Sequence, residues 1–297
     1  MSKKHPVIAV TGSSGAGTTT VKRAFEHIFF REKINAAVIE GDSFHSLSRV
    51  EFKEAMNKAE AEGNQSFSHF GPQANHFNKL AELFNTYGAS GSGKKRYYIH
   101  SDEEAAEHNK RLNTSLNPGE FTPWEDVAPN SDLLFYEGLH GLVKTDDVDV
   151  CAHVDLGIGV VPIVNLEWIQ KIHRDGAERG YSADVIVDTI LRRMPDYVNY
   201  ITPQFSRTDI NFQRVSTVDT SNPFISRDIP TPDESFIVIR FRDPQHPGLD
   251  FPYLLNMINN SFMSRRNTIV VPGAKMGFAM ELILGPIIQE MIASKGK

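Results

Sequence analysis

The chain has little cysteine: Cys151 is the only cysteine among its 297 residues. A single cysteine excludes an intrachain disulfide and any metal site that needs several thiolates. Nothing in the chain resembles an 18-residue apolar span, and we therefore expect no membrane helix and no membrane partner. No apolar leader follows Met1 either, so we expect a cytoplasmic location.

The chain also lacks an excess of basic residues. It has 31 Lys and Arg against 37 Asp and Glu, which gives a formal net charge of −6. Nucleic-acid binders are usually basic, so we expect no nucleic-acid partner. A local basic pocket is still compatible with an anionic small substrate. The sequence contains neither H-E-x-x-H nor G-x-S-x-G, so nothing indicates a zinc protease or a serine hydrolase.

The order of apolar runs predicts an α/β fold. In the first half of the chain, short apolar runs alternate with segments of helical periodicity, which is typical of a parallel sheet covered by helices. The strand candidates are Val7–Thr11, Ala36–Glu40, Leu133–Tyr136 and Leu156–Val161. The helix candidates are Thr18–Arg31, Arg49–Glu62, Asn75–Tyr87, Leu166–Arg179 and Ala183–Met194.

The final third adds the apolar run Ser235–Phe241 and the strand candidate Asn267–Val271, with helix candidates Phe251–Phe262 and Ala274–Ile292. No clear linker divides the chain, so we predict a single domain over residues 1–297. The glycine-rich segment Gly88–Lys95 and the stretch Ser101–Gly119 predict a mobile, lid-like excursion around residues 88–119.

A glycine-rich loop after the first strand candidate is the strongest motif. It matches the phosphate-binding template G-x-x-x-x-G-K-[ST] at Gly12, Gly17 and Thr19, whereas Thr18 stands where the lysine belongs. Backbone N–H groups and the following helix N-terminus would hold the phosphates of ATP. The candidate ATP-binding residues are Gly12, Ser13, Ser14, Gly15, Ala16, Gly17, Thr18, Thr19 and Thr20. The alternative is a tight turn that binds no ligand.

Two carboxylates follow strand candidates. Glu137 comes directly after Leu133–Tyr136, where an acidic residue of a P-loop protein helps to hold Mg²⁺ together with the hydroxyl of Thr19. Asp42 follows Ala36–Glu40, and ligands of open α/β sheets bind at the carboxyl ends of the strands. Asp42 is therefore a candidate catalytic base. The alternatives are a solvated strand end for Glu137 and a turn or N-cap residue for Asp42.

Two groups of basic residues can bind phosphate. His45 and Arg49 are four residues apart and would share a helical face if a helix begins at His45. In the helix candidate Leu166–Arg179, one face carries Lys171, Arg174, Asp175 and Glu178, with Arg179 one turn beyond Asp175. This face supplies the cation that the glycine-rich loop lacks. The alternative is a solvated face with ion pairs.

Taken together, these motifs resemble the bacterial type of the phosphoribulokinase family, within the P-loop kinases. The resemblance rests on the loop with Thr in place of Lys, on Glu40–His45 (Glu-Gly-Asp-x-Phe-His), on Tyr136–Gly141 (Tyr-Glu-Gly-Leu-His-Gly) and on Trp168–Asp175 (Trp-Ile-Gln-Lys-Ile-His-Arg-Asp). It implies a three-layer fold with a mixed, largely parallel central sheet flanked by helices. It also implies ATP-dependent phosphorylation of the C1 hydroxyl of D-ribulose 5-phosphate to ribulose 1,5-bisphosphate, a step of the Calvin cycle.

The resemblance also implies residue roles. Asp42 would be the base, Asp175 a second essential carboxylate, and Lys171 the cation at the transferred phosphoryl group. Mg²⁺ would be held by Thr19 and Glu137. The sugar phosphate would be bound by His45, Arg49, Arg174 and Arg179. Members of this type resemble one another in being NADH-activated homo-oligomers, octamers by that likeness, with Arg31, Arg240 and Arg265 at matching effector positions.

Two other functions fit parts of the sequence. A related kinase that acts on uridine or pantothenate would keep the glycine-rich loop and Glu137, but it would not need the basic residues for a sugar phosphate. A nucleotide-sensing module would bind ATP without transferring a phosphoryl group. The presence of both Asp42 and Asp175 argues against the second of these.

Overall fold

The computed structural model describes residues 4–12, 18–161, 163–226, 228–246 and 249–294. The strands within these ranges are β1 (Val7–Gly12), β2 (Ala36–Glu40), β3 (Lys94–Lys95), β4 (Glu125–Asp126), β5 (Leu133–Gly138), β6 (Leu156–Val161), β7 (Ile210–Ser216), β8 (Ser235–Phe241), β9 (Phe262–Arg265) and β10 (Thr268–Pro272). The α-helices within them are α1 (Thr18–Glu32), α2 (Arg49–Ala61), α3 (Phe77–Ser90), α4 (Asp102–Leu112), α5 (Val164–Arg179), α6 (Ala183–Arg192), α7 (Met194–Asp196), α8 (Phe251–Met257) and α9 (Met276–Ala293).

Eight of these strands form one mixed sheet in the order β2-β5-β1-β6-β7-β8-β10-β9, while β3 and β4 pair separately. The pairs from β2 to β7 are parallel, and those from β7 to β9 are antiparallel. Parallel strands end at the same edge of a sheet, so β1, β2, β5 and β6 bring their carboxyl ends together. The predicted mixed, largely parallel sheet flanked by helices is confirmed.

The central strand β1 shows why the fold has three layers. Its residues alternate between two core clusters because successive side chains of a strand point to opposite faces. Ile8 and Val10 pack in the cluster that includes α1 and α9, whereas Val7 and Ala9 pack in the cluster that includes α3. Both faces of β1 are therefore covered, which explains its continuous apolar run.

The C-terminal helix corrects one expectation. Within the described residues, the helical segment Gly273–Ala293 is long and apolar enough to cross a membrane, by length and composition only. The statement that no apolar stretch has that length is therefore wrong for this segment. Its side chains pack in the core cluster against the sheet and α1, which is the environment of an apolar core helix. The buried residues are Met276, Ala279, Met280, Ile283, Leu284, Gly285, Ile287 and Ile288.

The sequence predicted the parallel half of the sheet better than the rest. β2 and β6 have the predicted bounds, and β1 and β5 extend one and two residues further. The helix predicted for Phe251–Phe262 is wrong in its second half, since α8 ends at Met257 and β9 begins at Phe262. β7 was not predicted. The segment 88–119 contains β3 and α4, and its mobility stays a prediction.

Gln204 joins three parts of the chain below the carboxyl edge of the sheet. Its side chain is fully buried, and its amide oxygen accepts hydrogen bonds from Thr11 Oγ1 (3.0 Å) and Leu142 N (2.9 Å). Its amide nitrogen donates to the carbonyl oxygens of Leu139 (2.7 Å) and Tyr200 (2.8 Å). The end of β1 is thereby tied to the chain that follows β5.

Candidate active site

Two glycines bring the ends of β2 and β5 into contact. Glu40 is paired with Glu137 in the parallel register, and Gly41 and Gly138 follow these two residues. A Cβ on Gly138 would lie 2.6 Å from Cα of Gly41, a distance that a side chain cannot adopt. The close approach places Asp42 beside the end of β5, as the position of both carboxylates after strands predicted.

The glycine-rich loop lies between β1 and α1. Its residues Ser13, Ser14, Gly15, Ala16 and Gly17, and the side chains of Thr18 and Thr19, lie outside the described residues, so their roles stay predictions. Gly12 ends β1, and a Cβ there would lie 2.9 Å from the carbonyl oxygen of Val160. Thr20 is exposed in the first turn of α1. The described flanks thus have the strand–loop–helix arrangement that the phosphate-binding motif requires.

Asp42 lies in the 3-10 turn Gly41–Phe44, which continues β2. Its side chain is surrounded by protein atoms yet remains 45% exposed. Burial acts to raise the pKa of Asp42, but the hydrogen bond and charge of His45 outweigh burial and lower the pKa to about 2. Nε2 of His45 lies 3.4 Å from Oδ1 of Asp42. Asp42 is therefore ionised and accessible.

Arg96 fixes the turn that carries Asp42. Its Nε donates to the carbonyl oxygen of Ser43 (2.8 Å), and its Nη2 donates to that of His45. Its guanidinium lies 3.7 Å from the ring centre of Phe121 and 4.7 Å from that of Trp124. Burial lowers the pKa of Arg96 to about 10, and the group remains charged. Sequence reasoning missed Arg96, because nothing in its local sequence distinguishes it from a surface arginine.

His45 and Arg49 do not share a helical face, so this interpretation of their spacing is wrong. α2 begins at Arg49 because Ser48 caps it: Ser48 Oγ accepts from Glu51 N (3.3 Å), and Ser48 N donates to Glu51 Oε2 (2.8 Å). His45 precedes the cap, and its Nδ1 lies 2.7 Å from Oδ1 of Asn75. The amide of Arg49 donates to the carbonyl oxygen of Gly119 (2.8 Å), which links α2 to the segment after α4.

The ionised form of Glu137, at the edge of the sheet, is disfavoured by its surroundings. Burial raises its pKa to about 7, and the charges of Asp42 and Glu40 add to this effect, while Lys22 opposes it. A divalent cation beside Glu137 would relieve both the burial and the repulsion, so the residue fits the predicted Mg²⁺ role. The described residues contain no cluster of three or more His, Cys, Asp and Glu that would hold a metal alone. The ATP phosphates would have to complete the coordination.

We expect Glu137→Gln to stabilise the ligand-free protein above pH 7 by up to about 3 kcal/mol. The unfolded chain loses this proton near pH 4.5 and the folded chain near pH 7, so wild-type stability falls as the pH rises through this interval. Glutamine removes that loss. Urea unfolding at pH 5, 6, 7 and 8 measures the effect.

The control variant is Glu62→Gln, which changes a carboxylate whose side chain is 66% exposed. It should leave the pH dependence of unfolding as in the wild type. Adding Mg·ADP should stabilise wild type more than Glu137→Gln. Parallel stability profiles for wild type and Glu137→Gln between pH 5 and pH 8 would contradict the raised pKa.

A second cluster lies on α5. The carboxylate of Asp175 is 3% exposed and accepts from Arg174 Nε (3.0 Å) and Arg174 Nη2 (2.9 Å), as well as from Lys171 Nζ. Burial lowers the pKa of Lys171, although its bond to Asp175 opposes that shift. Burial acts to raise the pKa of Asp175, but its two cationic partners outweigh burial and lower it. The predicted shared face of α5 is confirmed for these three residues, whereas the Glu178 and Arg179 side chains lie outside the described residues.

The charge of Arg193 acts on residues of both regions, the α5 cations and the histidines beside Asp42. Its charge acts on both Lys171 and the imidazole of His69, and it lowers the pKa of each. His69 lies 4.6 Å from the ring of His45 and stacks on Phe52 at 3.6 Å. The Asp42 turn and the α5 cations therefore border the same region, with an acceptor for a proton on one side and cations for a phosphate on the other.

The three proposed effector arginines are not brought together within the chain. Arg31 on α1 pairs with Glu32 (2.7 Å) and Glu281 (3.3 Å). Arg240 and Arg265 lie on β8 and β9 and are both in register with Thr268 on β10. These two arginines are thus at the same level of the sheet, two strands apart, while Arg31 lies on α1 and not in the sheet.

The fold and the site define a P-loop kinase of small molecules. A glycine-rich loop joins the central strand to a helix, two carboxylates end the neighbouring strands, and a flanking helix supplies cations. The model of the phosphoribulokinase / uridine kinase family matches residues 7–221. The chain therefore belongs to this family, whose kinases use ATP and Mg²⁺.

Similar proteins cover nearly the whole chain. A phosphoribulokinase of Nitrobacter vulgaris is 59% identical, and one of Xanthobacter flavus is 61% identical, each over 99% of both chains. The solved structure of the phosphoribulokinase from Rhodobacter spheroides covers 100% of both chains at 52% identity, with a TM-score of 0.89. The similarity thus covers the antiparallel half of the sheet as well as the glycine-rich loop and the parallel strands.

Proposed function

We propose that the chain is a phosphoribulokinase. It transfers the γ-phosphoryl group of ATP to the C1 hydroxyl of D-ribulose 5-phosphate and yields ribulose 1,5-bisphosphate and ADP, a step of carbon fixation by the Calvin cycle. The observation that carries this function is the identity of about 60% to phosphoribulokinases over 99% of the chain. The geometry supports it, since an ionised Asp42 and a cation cluster border one region.

The reaction follows from the positions of the charges. Asp42 accepts the proton of the C1 hydroxyl while the oxygen of that hydroxyl forms the new bond to the γ-phosphorus of ATP. The bond between this phosphorus and the leaving oxygen of ADP breaks. Phosphoryl transfer passes through a loose transition state, so the hydroxyl gives up its proton late and a weakly basic carboxylate suffices. Lys171 neutralises the charge on the equatorial oxygens of the transferred group. When bound, Mg²⁺ supplies charge neutralisation at the phosphates, and Thr19 and Glu137 would hold it.

The other basic residues bind the sugar phosphate. In this proposal Arg49, Arg174 and Arg179 hold its phosphate, while His45, whose ring nitrogens face Asn75 and Asp42, contacts the sugar beside Asp42. Arg174 is fixed for this purpose, since two of its nitrogens bond to one oxygen of Asp175. Asp175 therefore orients the cations, and it keeps two positive side chains side by side without repulsion.

The experiment is an acceptor panel with the wild-type protein. ADP release is measured with Mg·ATP and ribulose 5-phosphate, uridine or pantothenate, each with and without NADH. Rapid turnover with ribulose 5-phosphate alone supports the proposal. Turnover with uridine or pantothenate indicates the related kinase, and ATP binding without any turnover indicates the sensor.

We also propose a cytoplasmic, NADH-activated homo-oligomer. Large apolar side chains on the surface support contacts between copies, among them Phe30 (88% exposed) and Ile225 (74% exposed). Arg31 lies on α1, on the side of the sheet whose core cluster also contains Ile237 and Ile239 of β8, whereas Arg240 alternates with these two residues and points from the other face. An NADH site that uses Arg31 together with Arg240 would then take residues from two subunits. Sedimentation with and without NADH tests the oligomeric state, and ADP release with and without NADH tests the activation.

A further inference from the structure

Asn75 is held firmly against the segment that follows Asp42. The backbones of His45 and Asn75 form a bridge, flanked by hydrogen bonds from Ser46 N to Ala74 O (2.9 Å) and from His76 N to Phe44 O (2.8 Å). Both side chains are nearly buried, with 7% of His45 and 8% of Asn75 exposed. The contact between these two side chains is therefore set by backbone pairing on both sides.

The hydrogen bonds of Asn75 determine which way its amide points. Its Nδ2 donates to the carbonyl oxygens of His69 (2.9 Å) and Gly71 (2.7 Å), which uses both amide hydrogens. Its Oδ1 lies 2.7 Å from Nδ1 of His45. The reverse orientation would place an oxygen against two carbonyl oxygens. Because Oδ1 can only accept, Nδ1 of His45 must carry a proton.

When His45 is neutral, a proton on Nδ1 leaves Nε2, the ring nitrogen that faces Asp42, without a proton. The other ring nitrogen of His45, Nε2, is directed at Oδ1 of Asp42 at 3.4 Å. When Nε2 also carries a proton, the two groups form an ion pair, and Asp42 is a weak base. When Nε2 is bare, its lone pair faces the carboxylate, and Asp42 becomes a stronger base because a proton would relieve this repulsion.

We propose that Asn75 is a positioning residue that fixes the tautomer of His45, keeping a proton on Nδ1 so that Asp42 faces a bare Nε2 whenever His45 is neutral. The proposal rests on the proposed function only in taking Asp42 as the base. The tautomer itself is a property of the protein without substrate.

Other titratable and charged groups also face this pair. From the surrounding elements these are His69, His100, His140, Arg96, Tyr136 and Glu137, and Arg193 acts in turn on His69. Burial lowers the pKa of His69 well below its usual range and that of His140 to about 3, so neither carries a positive charge beside Asp42. The remaining groups do not contact Nδ1 of His45, whose partner is Asn75. The acceptors that compete for the ring proton of His45 are therefore Asn75 Oδ1 at Nδ1 (2.7 Å) and Asp42 Oδ1 at Nε2 (3.4 Å), and the shorter contact favours the proton on Nδ1.

The first test is ¹⁵N NMR of the ligand-free full chain with labelled histidine. A His45→Gln spectrum assigns the His45 signals. At a pH where His45 is neutral, we expect a proton on Nδ1 and none on Nε2. A proton on Nε2 in the wild-type protein would overturn the proposal, whatever the protein phosphorylates and however any variant folds.

The second test compares Asn75→Ala with Ser68→Ala. Ser68 belongs to the same loop, and its Oγ donates to Asp196 Oδ2 (2.8 Å) and accepts from Phe70 N (3.1 Å), so alanine loosens this loop without touching Nδ1 of His45. Asn75→Ala should move the neutral tautomer toward a proton on Nε2. Because Nε2 of His45 then donates to Asp42 instead of facing it with a lone pair, Asp42 becomes a weaker base, and kcat should fall by about tenfold with little change in KM.

Ser68→Ala should keep both the tautomer and kcat. An unchanged tautomer in Asn75→Ala, or the same fall in kcat in both variants, would mean that Asn75 only supports the loop. If ribulose 5-phosphate is not phosphorylated at all, the proposed function fails, but the NMR result still decides the role of Asn75.

Discussion

Asp42→Asn is expected to lower kcat with ribulose 5-phosphate by about 10³–10⁴-fold. Asparagine keeps the shape of the side chain and a hydrogen bond to His45, but its amide cannot accept the proton of the C1 hydroxyl. Asp42 does not contribute to the backbone of the glycine-rich loop, so the Kd of Mg·ATP should stay within about twofold. ADP release and a fluorescent-nucleotide titration measure the two quantities.

The control for Asp42→Asn is Asp126→Asn. Asp126 pairs with Lys94 at 2.8 Å, and its side chain is 80% exposed, so the substitution removes the same charge away from the site. Its kcat should equal that of the wild type. Retention of more than a tenth of the wild-type kcat by Asp42→Asn would show that another group takes the proton. Loss of ATP binding in that variant would indicate a fault in folding instead.

Lys171→Met should lower kcat by about 10²–10³-fold with a smaller change in the KM of either substrate. The glycine-rich loop has Thr18 in place of the usual lysine, so a cation from α5 must act on the transferred phosphoryl group. Lys171 is held for that purpose by Asp175, and only 17% of its side chain is exposed. Methionine has a similar length and no charge. Steady-state kinetics with each substrate varied in turn separates kcat from KM.

Stability has to be measured alongside, because Lys171→Met also removes a partner of a buried carboxylate. Asp175 keeps its two bonds to Arg174, so we expect a loss of about 1–3 kcal/mol rather than unfolding. Lys144→Met is the matched control, since Lys144 pairs with Asp149 (2.6 Å) and is 54% exposed. A kcat within threefold of the wild type, or a rise in the KM of ATP with kcat unchanged, would exclude a role of Lys171 in the transition state.

The sequence predicted the half of the fold in which local pattern and position agree. The apolar runs of β1, β2, β5 and β6 are short and continuous, and residues that follow such strands meet at one edge whatever their separation in the chain. The neighbourhood of Asp42 and Glu137 was therefore predictable, although 95 positions separate them. The spacing of Lys171 and Asp175 likewise fixed their contact, because residues four apart share a helix face.

What the sequence did not show depends on contacts between distant segments. Asn75 was predicted to begin a helix, but α3 starts at Phe77 because the backbone of Asn75 bridges to His45. Arg96 lies just beyond a glycine-rich segment and its partners are carbonyl oxygens, which carry no sequence signal. β9 was not predicted, and its first residue, Phe262, was included in a helix, since its pairing with β10 is decided by the sheet rather than by its own four residues.

The hydrogen bonds of Gln204 have a consequence for amide exchange. The buried side-chain amide of Gln204 is bonded to the end of β1, to the stretch 139–142 and to Tyr200. If any one of these segments opens, its hydrogen bonds to Gln204 break, and the other segments lose a shared partner. Segments joined in this way open as one cooperative unit, and their amide hydrogens exchange with similar free energies. The end of β1, which precedes the glycine-rich loop, is thus expected to be protected from exchange to the same degree as the stretches 139–142 and 200–204.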